Sequence, residues 1–291
     1  MNFKKFCIPA VAALLLPLCA ATFQDVNTLI KAKNFKEAEI SCRQLIKEVK
    51  TPKDKYHAYM KLMIIMRRLN KNAELVKDAD AFLADCTDDK QAAELLIYKG
   101  IGLRDSKQRE ASLEAFKQAF ERAKDGRAAR EAAFYYIDAA SSYSLKKYAE
   151  AQAMYQQAAK CQGADQDARL INVGAYACYI NNKNEEAIAI LDKISAIEKI
   201  SPAAKETALR YRGNALYNLK KYDEAVKCYD QGIALKLGTY NEGRLLWLKA
   251  YALEKLGDKA GALECFKKAS EYKGDAHFQR DSLKAVKRLS K

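Results

Sequence analysis

Apolar residues recur along this chain at helical spacing, in one short pattern. A small residue is followed four positions later by an aromatic or large residue, and three positions after that by a small or apolar one. Ala225, Tyr229 and Gly232 show the pattern within Leu209–Ile233. Offsets of three, four and seven return to the same side of an α-helix, so the pattern predicts an amphipathic helix with one buried stripe.

The pattern occurs seven times at a nearly constant distance. Successive steps between the leading residues are 37, 37, 39, 36, 38 and 37 residues. The leading residues are Ala38, Leu75, Ser112, Ala151, Ala187, Ala225 and Ala262. Twelve positions before all but the first lie Met63, Gly100, Ala139, Ala175, Gly213 and Ala250. Five of these six are small, which predicts a second helix packed closely on the first. Such helix pairs bury their stripes only by stacking into a solenoid.

These units resemble the tetratricopeptide repeat family. The small, aromatic, alanine and second aromatic positions of the family repeat are occupied by Gly213, Tyr222, Ala225 and Tyr229. The units exceed the usual period of about 34 residues, and the unit of Ala151 also resembles the related Sel1-type repeats. The resemblance implies an all-α, right-handed α-solenoid superhelix of about seven helix-turn-helix repeats that acts as a protein-binding scaffold.

The predicted array fills most of the chain, from residue 22 to residue 274. Its predicted units are 22–55, 56–92, 93–131, 132–167, 168–205, 206–242 and 243–274. Residues 275–291 are predicted to form a C-terminal capping helix with the apolar stripe Phe278, Leu283, Val286 and Leu289 and a basic outer face.

The first 21 residues have the layout of a secretory signal peptide, in which basic residues precede an apolar run and small residues follow it. The run Phe6–Leu18 is too short to span a bilayer, which needs about 20 residues. We predict cleavage near Ala21 and an exported bacterial protein, periplasmic or secreted. The alternative is a lipoprotein anchored through Cys19. Bacterial lipoprotein signals resemble one another in having a small residue directly before the cysteine, and here that residue is Leu18.

Charge leaves a second mode of binding open. The formal net charge of +14 falls to about +12 without the two lysines of the signal segment. Such an excess attracts anionic polymers, whether polysaccharide or nucleic acid. No run of five basic residues occurs, so lysines that simply solvate the helix faces are the plainer interpretation.

Cysteine placement favours free thiols. An even number of cysteines in an exported chain suggests disulfides. Here each cysteine falls within or at the end of a predicted helix, mostly on the apolar stripe, where a thiol packs as a small hydrophobe. Cys161 and Cys178 are the pair that most merits a test. The cysteines after the signal segment are Cys42, Cys86, Cys161, Cys178, Cys228 and Cys265.

Sequence patterns typical of catalysis and metal binding are missing. The two histidines, His57 and His277, lie at opposite ends of the array, and no nucleophile elbow, P-loop, H-E-x-x-H or C-x-x-C motif occurs. Single, scattered cysteines do not make a zinc site. We predict a non-catalytic protein without cofactor or metal. An enzyme with an unrecognised site remains the alternative, and it requires a pocket with convergent acid, base or metal groups.

The candidate binding surface is the first helix of each unit, which lines the concave face in the resembled family. Its residues are tyrosines, arginines, asparagines and the single tryptophan, side chains that are enriched at binding hot spots. We predict that this groove binds a peptide or protein segment, in envelope assembly or secretion. The alternative is that the tyrosines pack between units. The predicted groove residues are Tyr136, Tyr143, Asn172, Tyr176, Tyr179, Arg210, Asn214, Tyr217, Arg244, Trp247 and Tyr251.

Arg210 and Asn214 resemble one part of the clamp with which some relatives hold a peptide's C-terminal carboxylate. Leu248 occupies the place of the asparagine that the next unit would need. That function is therefore not carried over to this chain.

Overall fold

The computed structural model describes residues 21–272 and 276–290, so the predicted signal peptide lies almost entirely outside the described residues. The described part contains fifteen α-helices, two short 3-10 segments and no strand, which confirms the all-α prediction. The helices are α1 Phe23–Lys31, α2 Phe35–Glu48, α3 Pro52–Arg68, α4 Asn72–Leu83, α5 Asp89–Asp105, α6 Arg109–Ala123, α7 Gly126–Ala140, α8 Tyr148–Ala158, α9 Ala168–Ile180, α10 Asn184–Asp192, α11 Pro202–Asn218, α12 Tyr222–Ile233, α13 Thr239–Leu256, α14 Lys259–Glu271 and α15 Ala276–Leu289.

The chain divides into two compact units, residues 1–78 and residues 79–291, with the division inside α4. In the first unit α2 packs on both α1 and α3. In the second unit, from α5 to α15, helices that follow one another in the chain pack together, and α5, α7, α9, α11, α13 and α15 also contact one another in that order. These odd-numbered helices therefore form one continuous layer, as the first helices of a solenoid do.

Seven turns repeat the frame seen in the sequence. Each turn holds one residue with positive φ: Lys33, Asn70, Lys107, Lys146, Asn182, Lys220 and Gly257. The steps between them are 37, 37, 39, 36, 38 and 37 residues, the same as for the apolar pattern. In six turns the next amide donates to the carbonyl five residues back, as Asn34 does to Leu29 at 2.9 Å. This bond closes the end of the first helix and turns the chain into the second.

Glycine allows the two helices of a pair to approach closely. A Cβ atom at Gly100 on α5 would lie 2.4 Å from the Phe116 ring on α6, and one at Gly213 on α11 would lie 2.5 Å from the Tyr229 ring on α12. Both aromatic side chains are fully buried. At these two positions the predicted close approach of paired helices is confirmed.

Most first helices begin before the predicted unit starts. The starts at 56, 93, 206 and 243 lie four residues inside α3, α5, α11 and α13, and the start at 132 lies six residues inside α7. The signal that the sequence interpretation overlooked is the helix cap. Thr51 and Ser201 accept hydrogen bonds from backbone amides and are each followed by proline at the first helical position.

All six described cysteines are free thiols, and all except Cys86 are buried. Burial raises the pKa of the Cys42 thiol to about 12 and that of Cys178 to about 11. At neutral pH both thiols are therefore protonated and pack as apolar groups.

Candidate binding surface

The eleven predicted groove residues fall into packed and accessible groups. Tyr136 belongs to the packed group, because its ring is buried in the core and its hydroxyl donates to Glu150 on α8 at 3.1 Å. Burial, reinforced by this bond to a carboxylate, raises the pKa of Tyr136 to about 12. Tyr143 lies in the turn after α7, where 85% of its surface is exposed and the Lys146 amine is 4.5 Å from its ring centroid. Neither residue belongs to a groove along the first helices.

The two predicted asparagines hold helices together. Asn172 on α9 is buried, and its Nδ2 atom donates to the carbonyl of Ala204 on α11 at 2.9 Å. Asn214 accepts a hydrogen bond from the buried Tyr229 hydroxyl at 3.0 Å. The packing alternative thus accounts for these amides, although the Asn172 Oδ1 atom has no hydrogen-bond partner among the described residues.

Half-buried tyrosines form the accessible part of the surface. Tyr176 on α9 stacks on Tyr211 of α11, with ring centroids 5.0 Å apart and planes 28° apart. Tyr179 lies one turn from Tyr176, at 6.4 Å between centroids, and Tyr217 packs edge-on against Tyr222. Burial raises the pKa of both Tyr176 and Tyr179, so both hydroxyls stay protonated at neutral pH.

Two arginines surround a buried glutamate beside these rings. Glu206 on α11 is only 2% exposed, and Arg210 donates to its Oε1 atom at 3.2 Å. Arg244 on α13 approaches the same oxygen at 3.6 Å. The Arg210 guanidinium also lies 4.4 Å from the ring centroid of Tyr211, and that of Arg244 lies 5.3 Å from that of Tyr240. We call these five residues the Arg210–Arg244 cluster.

The Arg210–Arg244 cluster has unused binding capacity. The Nε atom of Arg244 is buried and has no hydrogen-bond partner among the described residues. Burial, followed by the charge of Arg210, lowers the pKa of Arg244, but a guanidinium remains protonated in proteins. Two cations face the single carboxylate of Glu206, so the cluster has an excess of one positive charge.

Trp247 and Tyr251 are engaged by the capping helix. Both side chains, on α13, donate hydrogen bonds to Asp281 of α15, and the bond from the Trp247 indole is 2.8 Å long. Phe278 of the predicted stripe is buried. Leu283 is instead 53% exposed, because the turns of α15 bring Ser282 and Ala285 to the packed side. The two aromatic residues of α13 therefore hold the cap.

Sequence comparison identifies two of the helix pairs. Residues 206–236, which cover most of α11 and α12, match one tetratricopeptide repeat model, and residues 243–275, which cover most of α13 and α14, match a second. The remaining pairs have nearly the same spacing, and all of them except α7–α8 have the same turn hydrogen bond. The chain is a tetratricopeptide repeat (TPR) protein. Among curated proteins, no sequence matches it significantly.

Solved structures share the fold of this TPR protein over most of its length. A tetratricopeptide repeat protein from Parabacteroides merdae aligns with TM-score 0.60 and 16% identity, over 91% of this chain and 96% of its own. The C-terminal part of a TPR protein from Cytophaga hutchinsonii gives 0.60 and 17%, over 90% and 99%. Apo RapI gives 0.66 and 15%, over 91% and 83%. At these identities the likeness establishes the solenoid fold alone. The repeats that the two family models match generally serve as non-catalytic scaffolds for protein–protein interaction.

The described residues of the TPR protein add two findings. No group of three or more His, Cys, Asp or Glu side chains placed to hold a metal ion occurs within residues 21–272 and 276–290. In the same ranges no helix combines the length and the apolar character that a membrane span requires.

Replacing Asp281 by alanine is expected to loosen α15, at a cost of about 1–2 kcal/mol, because the carboxylate accepts from both Trp247 and Tyr251. Trp247 is the only tryptophan in the chain, so its fluorescence reports this contact directly. We expect a red-shifted emission in Asp281→Ala with nearly unchanged helical circular dichroism. The control Lys284→Ala, on the same helix, should emit like the wild type.

The same contact should respond to acid. Burial opposes ionisation of Asp281, but the hydrogen bonds from Tyr251 and Trp247 outweigh it and lower the pKa of the carboxyl. A lowered folded-state pKa gives stabilisation that is complete above the unfolded value of about 3.9 and is lost as the pH falls through the folded value. Wild-type emission should therefore shift only below about pH 4. If the fluorescence of the wild type did not change in acid, or if Asp281→Ala emitted like the wild type, Asp281 would not hold α15 through Trp247.

Proposed function

We propose that this TPR protein is a non-catalytic scaffold that binds a peptide or protein segment across α9, α11 and α13. An acidic side chain of the segment contacts the Arg210–Arg244 cluster, and apolar or aromatic groups lie on Tyr176 and Tyr211. The observation that carries the proposal is the buried Arg244 Nε atom, which has no hydrogen-bond partner among the described residues.

Electrostatics favours an anionic group at this cluster. A guanidinium hydrogen bond to a carboxylate is stronger than a bond between neutral groups, and removal from water strengthens it further. Glu206 neutralises only one of the two guanidinium charges. A peptide carboxylate would balance the second charge and could satisfy the unused N–H group.

Aromatic contact gives the segment its second anchor. Tyr176 and Tyr211 form a half-buried stacked pair beside Arg210. Such rings offer apolar area with a polar tip and lose little conformational entropy on binding. A segment with an acidic residue near an apolar one fits this combination.

The test compares matched peptides and matched variants. An array of random hexapeptides identifies an acidic binder, which is then labelled with fluorescein and compared by anisotropy with its Glu→Gln form. We expect the acidic form to bind about tenfold more tightly, a difference of about 1.4 kcal/mol. Arg244→Gln should abolish this difference while leaving Arg210 on Glu206. Arg212→Gln is the control, since Arg212 lies on α11 but pairs with Asp192. Equal losses in both variants would refute the groove.

A second candidate function, binding of an anionic polymer, rests on the lysines of the turns. Within residues 79–291, Lys107, Lys146 and Lys220 are the positive-φ residues of three turns. Each of these turns joins the first helix of a pair to the second. Neighbouring Lys147 and Lys183 pair with glutamates, which reduces the field. Polymer binding predicts an affinity for dextran sulfate that falls steeply with salt and is the same in wild type and Arg244→Gln. Salt-insensitive or absent binding would exclude it.

We also propose that the protein works in the bacterial envelope, after export. The basic–apolar–small order of residues 1–21 supports this location. The capping box of Thr22 and Asp25 at the start of α1 lies just beyond Ala21, so cleavage there would leave the first helix intact. The intact mass of the protein recovered from the envelope fraction decides the point, because an uncleaved cytoplasmic chain would exclude export.

A further inference from the structure

A small cavity lies between four helices, next to the proposed peptide surface. Its volume is about 230 Å³, and it is bounded by the ends of α5 and α7, the beginning of α6 and one face of α9. Two arginines and three serines contribute to its lining, together with one aspartate. Apart from Tyr176, it shares no residue with the surface proposed above.

Ser141 provides the first sign of a missing ligand. This residue caps α7, is only 2% exposed, and has a hydroxyl without a hydrogen-bond partner among the described residues. Ser112, which lines the cavity from α6, is also buried but donates to the Arg109 carbonyl at 2.6 Å. A buried hydroxyl without a partner is unfavourable, and most such groups in folded proteins are paired. A ligand in the cavity would give Ser141 its acceptor.

The charges around the cavity favour an anion. Arg109 forms no ion pair within the described residues, whereas Arg104 is shared between Asp105 at 3.1 Å and Asp138 at 3.8 Å. Asp138 is the only acidic residue in the lining, and Arg104 is balanced by Asp138 and Asp105, so Arg109 is the lining cation without a carboxylate partner among the described residues. The Tyr176 hydroxyl has no hydrogen bond within the described residues. It therefore remains available as a donor.

We propose that this cavity binds a tetrahedral oxyanion, namely a phosphate or the phosphoryl group of a small molecule. Its donors are Arg109 on α6, Ser141 at the end of α7 and Tyr176 on α9. Because they come from three helices, they suit the spread oxygens of phosphate better than the two coplanar oxygens of a carboxylate. Guanidinium groups match phosphate geometry and bind it through several hydrogen bonds. The cavity exceeds the volume of the anion, so a small attached group can be accommodated.

Calorimetry on the purified protein, at fixed ionic strength, tests the proposal with three probes: inorganic phosphate, O-phosphoserine and acetate. We expect phosphate or phosphoserine to bind at least about tenfold more tightly than acetate. Tighter binding of phosphoserine identifies a phosphorylated molecule as the source, and tighter binding of phosphate identifies the free anion. Acetate that binds as well as both would overturn the tetrahedral assignment.

Variants then connect the binding to the cavity. Ser141→Ala and Arg109→Gln should each weaken phosphate binding about tenfold. Asp138→Asn should strengthen it several-fold, because the variant removes the only negative charge of the lining. Arg212→Gln is the control and should bind as the wild type does. Two changes of opposite sign cannot both arise from unfolding, which circular dichroism checks independently. No binding by the wild type, or equal binding by wild type and Ser141→Ala, would overturn the proposal.

Discussion

Truncation of Phe116 to alanine is expected to lower the free energy of unfolding by about 3–5 kcal/mol. Phe116 on α6 is fully buried, and its ring stacks on Tyr135 of α7 at 5.4 Å between centroids. The same ring fills the space that Gly100 leaves on α5. Its removal would open a cavity between three helices, which a glycine backbone cannot fill. Urea denaturation followed by circular dichroism measures the loss.

Two further variants make this prediction specific. Tyr143→Ala removes an aromatic ring that is largely in solvent, so its effect should stay within about 0.5 kcal/mol. Gly100→Ala should be harmful in the wild type but should recover part of the loss in Phe116→Ala, because its methyl group enters the cavity. A loss below about 1 kcal/mol for Phe116→Ala, or strictly additive effects of the two changes, would contradict the packing described.

Adding one methyl group at Gly174 is expected to destabilise the protein by about 2 kcal/mol. The new Cβ atom would lie 2.1 Å from Cδ2 and 2.4 Å from Cε2 of Tyr155, a ring buried between α8 and α9. Overpacking of this kind costs about 1–3 kcal/mol. Alanine in a helix otherwise gains about 1 kcal/mol over glycine, so a net loss shows that the steric contact outweighs helix propensity. The same urea titration gives the value.

The control replaces Tyr155 by a smaller residue, which should remove the steric conflict at Gly174. In a Tyr155→Leu background, Gly174→Ala should cost far less, because the atoms in conflict are gone. A Gly174→Ala variant as stable as the wild type, or one equally destabilised in both backgrounds, would show that the ring does not restrict this position.

The repeat frame could be predicted from the sequence because it is local and periodic. The steps between apolar markers reappear as the steps between left-handed turn residues, and Gly100 and Gly213 allow close approach within a pair as expected. Gly174 was missed because its partner, Tyr155, belongs to the preceding pair. The small residues twelve positions before each apolar pattern indicate contacts within a helix pair. Contacts between successive pairs, such as that of Gly174 with Tyr155, involve a different spacing along the chain.

The site was predicted less completely than the fold. Helical periodicity places Tyr136, Asn214 and Arg244 on first helices. It cannot distinguish a side chain that hydrogen-bonds to the second helix of its pair from one that is available to bind a partner. Glu206 could have been recognised, since it precedes Arg210 by four residues and such pairs interact on a helix. The stacking of Tyr211 on Tyr176 depends on the approach of α11 to α9 and has no equivalent local signal.

The unused donors could not be predicted from the sequence at all. Ser141 and Arg244 are ordinary residues at or within helices, and the similar residues Ser112 and Arg212 do find partners. Whether a buried polar atom is satisfied depends on the positions of all its neighbours. Only the folded structure therefore distinguishes these two groups, together with the Ser282 hydroxyl and the Asn172 Oδ1 atom, from buried polar groups that have partners.

The helix α15 covers the last helix pair that the structure describes. Arg288 pairs with Glu254, and Trp247 bonds to Asp281, each 34 residues apart, so α15 lies where the first helix of a further repeat would pack. Lys284 and Lys287 on the same helix are exposed to solvent. A solenoid with an uncovered apolar end can accept the start of another copy, and such head-to-tail contacts can grow into open filaments. With this charged helix packed on α13 and α14, the apolar faces of that helix pair are covered, which disfavours a head-to-tail contact there.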